Sequence, residues 1–118
     1  MSTICNKSIE DTMNKLNDCK DMFLAIGNEN RLLILIALVH GNQNGMRVGE
    51  IAEAVHMNRS AVSKHLRVLI ESGIVTLRKE AAMNYYSILK DESNWKRLEE
   101  FVNHVCEGFK DYCNSTPR

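Results

Sequence analysis

Apolar residues recur at spacings of three, four and seven across residues 8–26, where Ile9, Met13, Leu16, Phe23 and Leu24 make one stripe, and this predicts a first helix. Gly27 interrupts it and Asn28 offers an N-cap. The run from Leu32 to Val39 is apolar throughout, so a second helix is expected there, buried on most sides and ending near His40 and Gly41. A polar, glycine-rich loop over residues 41–45 and a short strand at Met46, Arg47 and Val48 should follow. Residues 48–55 place Ile51, Ala52 and Val55 on one side of a helix of about two turns. After His56 and Met57, Asn58 is the N-cap for a helix over 59–72 that Gly73 closes. The β-branched and aromatic residues at 74–77 and 85–89 predict two strands, with residues 78–84 as their hairpin connection. Residues 91–113 then put Trp95, Leu98, Phe101, Val102, Val105, Phe109 and Tyr112 on one broad face of a long helix.

Two helices joined by a tight turn and followed by a hairpin describe a winged helix-turn-helix, mainly α with a small β-wing. A chain of 118 residues has room for one domain and a modest core. The expectation is therefore a single domain over 1–118: helix-turn-helix at about 48–72, wing at about 74–89, C-terminal helix at about 91–113. Ile9, Met13 and Leu16 with Phe101, Val105, Phe109 and Tyr112 exceed what such a core can cover, which predicts a dimer built on the first and last helices. The apolar run from Leu32 to Val39 is too short to cross a bilayer, and no apolar stretch follows the N-terminus as in a secretory signal. A cytoplasmic protein without a membrane partner is expected.

A formal net charge of zero argues at first against a nucleic-acid partner. The charge is unevenly placed, however. Between Asn58 and Lys79 there are five cations, Arg59, Lys64, Arg67, Arg78 and Lys79, against Glu71 alone. At 100° per residue, Ser60, Ser63, Lys64, Arg67 and Glu71 share a narrow arc of the second short helix, opposite Val62, Leu66, Leu69 and Ile70. Two hydroxyls and two cations, with Arg59 at the N-terminal edge, suit a helix in the major groove, where Arg and Lys bond guanine edges and Ser bonds bases or phosphates. A merely solvated helix face is the plainer alternative, and the helix-turn-helix and wing around it favour DNA. His65 lies beside Ala61 and Leu69, outside the polar arc, and reads as a half-buried structural imidazole.

The chain from Leu24-Ala25-Ile26-Gly27-Asn28-Glu29-Asn30-Arg31-Leu32 through Val48-Gly49-Glu50-Ile51-Ala52 to Ser60-Ala61-Val62-Ser63-Lys64-His65-Leu66-Arg67-Val68-Leu69 and Gly73-Ile74-Val75 resembles the ArsR/SmtB repressors. The likeness covers residues 23–89. It implies a homodimer, built on the first and last helices, that blocks a double-stranded DNA operator until a metal ion, a metalloid or, in one branch, reactive sulfur or an oxidant releases it. The wing departs from the family: Arg78-Lys79-Glu80-Ala81-Ala82-Met83-Asn84 lacks the glycine and second arginine of an Arg-x-Gly-Arg tip. Arg78 and Lys79 remain candidates for a backbone phosphate or the minor groove, or are an ordinary exposed charge pair.

The resemblance leaves the inducer open. The arsenic-type cysteines are absent from residues 48–55. The zinc-type signature, Asp-x-His, ten residues, His-x-x-His/Glu, has its counterpart in Asp91-Glu92-Ser93 and His104-Val105-Cys106-Glu107, with Ser93 in place of a histidine. Asp91, His104 and Glu107 are thus a degenerate set for a transition metal such as zinc, one ligand short of four. Of the four cysteines, Cys5, Cys19, Cys106 and Cys113, none forms a closely spaced zinc-finger pair. Cys106 corresponds roughly to one cysteine of the family's thiol-switch branch, while Ile36 stands where the other belongs. Cys19, Cys106 and Cys113 flank apolar stripes, so they are either thiol sensors or small buried hydrophobes. No nucleophile-base grouping, phosphate-cradling loop or paired-carboxylate pocket points to an enzyme. The functions expected are therefore a repressor released by a thiol-reactive species or a metal ion, a repressor lacking an inducer site, or a winged-helix module that binds another protein.

Overall fold

The computed structural model describes residues 3–115, with side chains from Ile9 onward. Its elements run α1 (Thr3–Ile26), α2 (Glu29–His40), α3 (Val48–Val55), α4 (Arg59–Glu71), β1 (Val75–Glu80), β2 (Met83–Ile88) and α5 (Glu92–Ser115). Residues 21–90 form one compact unit, and the rest of α1 with α5 belongs to a second. Among the described residues no single helix is long and apolar enough to cross a membrane.

Helix boundaries follow the caps. The Asn28 side chain accepts from the Arg31 backbone N–H at 3.1 Å, and the Arg31 Nε donates to the Ala25 carbonyl, tying the end of α1 to the start of α2. α3 opens with the Glu50 carboxylate accepting from the Arg47 N–H at 2.9 Å and ends at His56, whose φ of 58° reverses the chain. Asn58 caps α4 through the Ala61 N–H at 2.8 Å. Gly73, at φ 78°, closes α4 with Gly73 N–H on the Ile70 carbonyl and Ile74 N–H on the Leu69 carbonyl, a six-to-one and five-to-two pair that only a left-handed residue allows.

The core of the larger unit is Ile34, Leu35 and Leu38 of α2, Ile51 and Ala52 of α3, Val62, Leu66 and Leu69 of α4, and Ile74 and Val75 leading into β1, closed by Met22 and Ala25 of α1. These residues hold α3 and α4 as a rigid pair across a three-residue turn. The wing is an antiparallel hairpin with Val75 opposite Ile88 and Arg78 opposite Tyr85.

Three expectations need correction. α2 is not buried on most sides: Ile36 is 55% and Val39 62% exposed, with Leu32 and Leu33 also open, because only the side bearing Ile34, Leu35 and Leu38 meets the rest of the unit. Met46 alone pairs as a strand, in an isolated bridge to Tyr86, since Arg47 already caps α3 and Val48 begins it. The hairpin connection is two residues, Ala81 and Ala82, not seven; the polar residues Arg78, Lys79 and Glu80 continue β1, and Met83 and Asn84 begin β2, because both faces of the wing meet solvent here and need no apolar alternation.

Candidate nucleic-acid interface

α4 separates cleanly by side. Val62, Leu66 and Leu69 are at most 1% exposed, whereas Arg59, Ser60, Ser63, Lys64, Arg67 and Glu71 are all exposed, and His65 is half-buried. The sequence arc is therefore the solvent arc. It offers hydroxyl, ammonium and guanidinium donors, the groups that bond base-edge acceptors and phosphate oxygens. The core behind the helix fixes its orientation. The Arg59 guanidinium lies over Gly49 in the first turn of α3.

In the wing, Arg78 and Lys79 differ. The Arg78 Nη2 donates to the Asn44 carbonyl at 2.6 Å, its Nη1 pairs with Glu80 at 3.0 Å, and the guanidinium stacks 4.8 Å above the centroid of Tyr85. The Asn44 bond stitches the wing to the α2–α3 loop, and with the contacts inside the wing it leaves Arg78 largely engaged within the chain. Gly45 makes the loop's approach possible: at φ 114°, a Cβ there would meet the Tyr85 Cβ at 2.9 Å. Lys79 alternates to the opposite face of the strand and is exposed. Neither the Asn44 nor the Tyr85 contact is visible in sequence spacing.

The structure separates the inducer candidates. Cys19 is buried, and burial, aided by the carboxylate of Asp18, pushes its thiol above the ordinary range. Its Sγ donates to the Lys15 carbonyl at 3.5 Å. Cys106 and Cys113 are exposed. Asp91 accepts from the Ser93 hydroxyl at 2.6 Å and from the Ser93 N–H at 3.1 Å, capping the first turn of α5, and these bonds hold its carboxyl below the usual carboxylate range. Among the described residues no three His, Cys, Asp or Glu side chains gather as a metal ion would require, so Asp91, His104 and Glu107 do not fit a zinc site within one chain. Ser93, where a fourth ligand would stand, is part of the cap.

Residues 28–76, from the α2 cap into the wing, match the family described as bacterial regulatory protein, arsR family. The HTH-type transcriptional regulator MJ1325 of Methanocaldococcus jannaschii is 34% identical over 80% of this chain and 99% of its own length. The chain belongs to the arsR family. It is a DNA-binding transcriptional regulator of winged helix-turn-helix fold. The transcriptional repressor SdpR of Bacillus subtilis is 30% identical over 70% of the chain and 91% of its own length. Among solved structures, reduced HlyU of Vibrio cholerae superposes with a TM-score of 0.62 at 30% identity, covering 75% of this chain and 90% of that one. HlyU is described as a transcriptional activator, and the sequence match to it spans 60% of its length. The homodimeric winged helix-turn-helix domain of Mb0332 from Mycobacterium bovis, 28% identical with a TM-score of 0.54, covers 95% of this chain and 93% of that one.

Proposed function

We propose that this arsR-family chain works in the cytoplasm as a homodimeric repressor, its 118 residues acting as one winged-helix domain that lays α4 in the major groove of a double-stranded operator. The observation that carries this reading is the division of α4, with Ser60, Ser63, Lys64 and Arg67 exposed opposite a fully buried Val62, Leu66 and Leu69. Arg59 stands at the N-terminal edge of that face, and Lys79 reaches the phosphate backbone from the wing, while Arg78 serves chiefly to hold the wing to the α2–α3 loop. Dimerisation through α1 and α5 is supported by their exposed apolar stripes and by the homodimeric relative from Mycobacterium bovis, and repression by the similarity to the repressor SdpR.

For release, the exposure of Cys106 and Cys113 favours a thiol-reactive inducer acting at Cys106, whereas the capping role of Asp91 weighs against zinc at Asp91, His104 and Glu107. Cys19, buried, fits a packing role better than a sensing one.

The test uses a duplex enriched by the wild-type protein from a randomised pool. Ser63→Ala and Lys64→Ala should each weaken binding by about 1–3 kcal/mol where they read a base edge, and less where they touch only phosphate, with fold and assembly unchanged. Unaltered affinity in both and in Arg59→Ala would show that α4 is not the reading helix. Hydrogen peroxide should release wild-type protein from the same duplex and leave Cys106→Ser bound.

A further inference from the structure

Gly49 is the second residue of α3 and occupies an ordinary helical position; the glycines of positive φ are Gly45 and Gly73. Backbone conformation therefore does not require glycine here, and glycine is the poorest helix former after proline. What it provides is space. A Cβ at Gly49 would stand 2.8 Å from the Arg59 Nη2, 3.0 Å from its Cζ and 3.3 Å from its Nε, and these are the three nearest atoms. The volume that any side chain at 49 would fill is occupied by the plane of one guanidinium.

We propose that Gly49 is a positioning residue for DNA recognition: its bare Cα seats the Arg59 guanidinium across the first turn of α3, at the N-terminal edge of the exposed face of α4. The inference rests on the reading of α4 as the groove-binding helix. Arginine carries a long, rotatable stem, and a guanidinium held in place before binding loses less freedom when it meets a base edge or phosphate than one that sweeps solvent. α3 and α4 are fixed to each other by Ile51, Ala52, Val62 and Leu66, so a seat on α3 sets where the Arg59 head stands relative to Ser63 and Lys64. A methyl group at 49 would evict only the far end of a flexible side chain. The fold should tolerate it, and the arginine should lose its place.

The experiment compares Gly49→Ala, Arg59→Ala and the double variant by fluorescence anisotropy on the wild-type-selected duplex and on the unselected pool, with melting temperature measured in parallel. Gly49→Ala should melt at or above the wild-type temperature yet bind the selected duplex about three- to tenfold more weakly, with little change on the unselected pool. In the Arg59→Ala background, Gly49→Ala should cause no further loss. Wild-type affinity in Gly49→Ala beside a weakened Arg59→Ala would overturn the seat and leave the α4 reading intact. An equal loss from Gly49→Ala with and without Arg59 would also overturn it, because the glycine would then act without the arginine. If Arg59→Ala, Ser63→Ala and Lys64→Ala all bind like wild type, the α4 reading fails and takes the proposal with it.

Discussion

Cys19 and Cys106 are the same chemical group in two settings. Cys106 stands exposed on α5, while Cys19 is buried in α1 with its thiol shifted upward by desolvation and by Asp18. Iodoacetamide at neutral pH should therefore modify Cys106 and Cys113 in the folded protein and spare Cys19, as peptide mapping would reveal; Cys19 labelled as fast as the other two would contradict its burial. The sign for stability follows. A thiol whose folded pKa exceeds its unfolded value contributes stability in full below the unfolded value, and that contribution is lost as pH rises through the folded one. Unfolding free energy should thus fall on the alkaline side, and Cys19→Ala should flatten that decline. Residue by residue, the sequence revealed the candidates better than their circumstances. The polar arc of α4 was legible because helical periodicity is local. The engagement of Arg78 was not, because its partner carbonyl on Asn44 lies 34 residues away in the chain.

Among the elements, the wing is where local preference and structure disagree most. Its two-residue turn places Ala81 at φ 56°, a conformation in which glycine or asparagine is usual and a Cβ is costly. Ala81→Gly should raise stability by about 0.5–1 kcal/mol, the relief of the left-handed strain less the added freedom of the unfolded chain. A shift of the urea midpoint to higher concentration at constant slope would confirm it; a lower midpoint would show that the alanine is unstrained. Helix starts were legible where a side chain caps them, as at Asn28 and Asn58, and the end of α4 was legible at its Gly73 closure. Strand limits were not, since Arg78, Lys79 and Glu80 carry no alternation to mark the pairing that extends through them. The extent of burial of α2 was also beyond pattern reading: apolar content tells that a helix can be covered, not what covers it.

At the level of the whole molecule, apolar surface is left open on both helices outside the winged unit. Ile9 and Met13 of α1, and Val105, Phe109 and Tyr112 of α5, are each at least 45% exposed. Two copies that bury these faces against each other should sediment as a dimer at micromolar concentration, and only monomer there would refute the assembly. The melting temperature should also climb with protein concentration, each tenfold increase adding about 1.4 kcal/mol to the stability of a folded dimer. α5 gives this its sharpest form, because none of its residues is buried within one chain. A helix with no fully buried side chain gains little from packing beyond its own marginal propensity. Under the proposed dimer, a newly made chain is unfinished until it meets a second one, and the supply of finished regulator grows with the square of chain number while chains are scarce. Control by such a protein would switch on late and then steeply as synthesis proceeds, a threshold set by how two molecules find each other before either finds DNA.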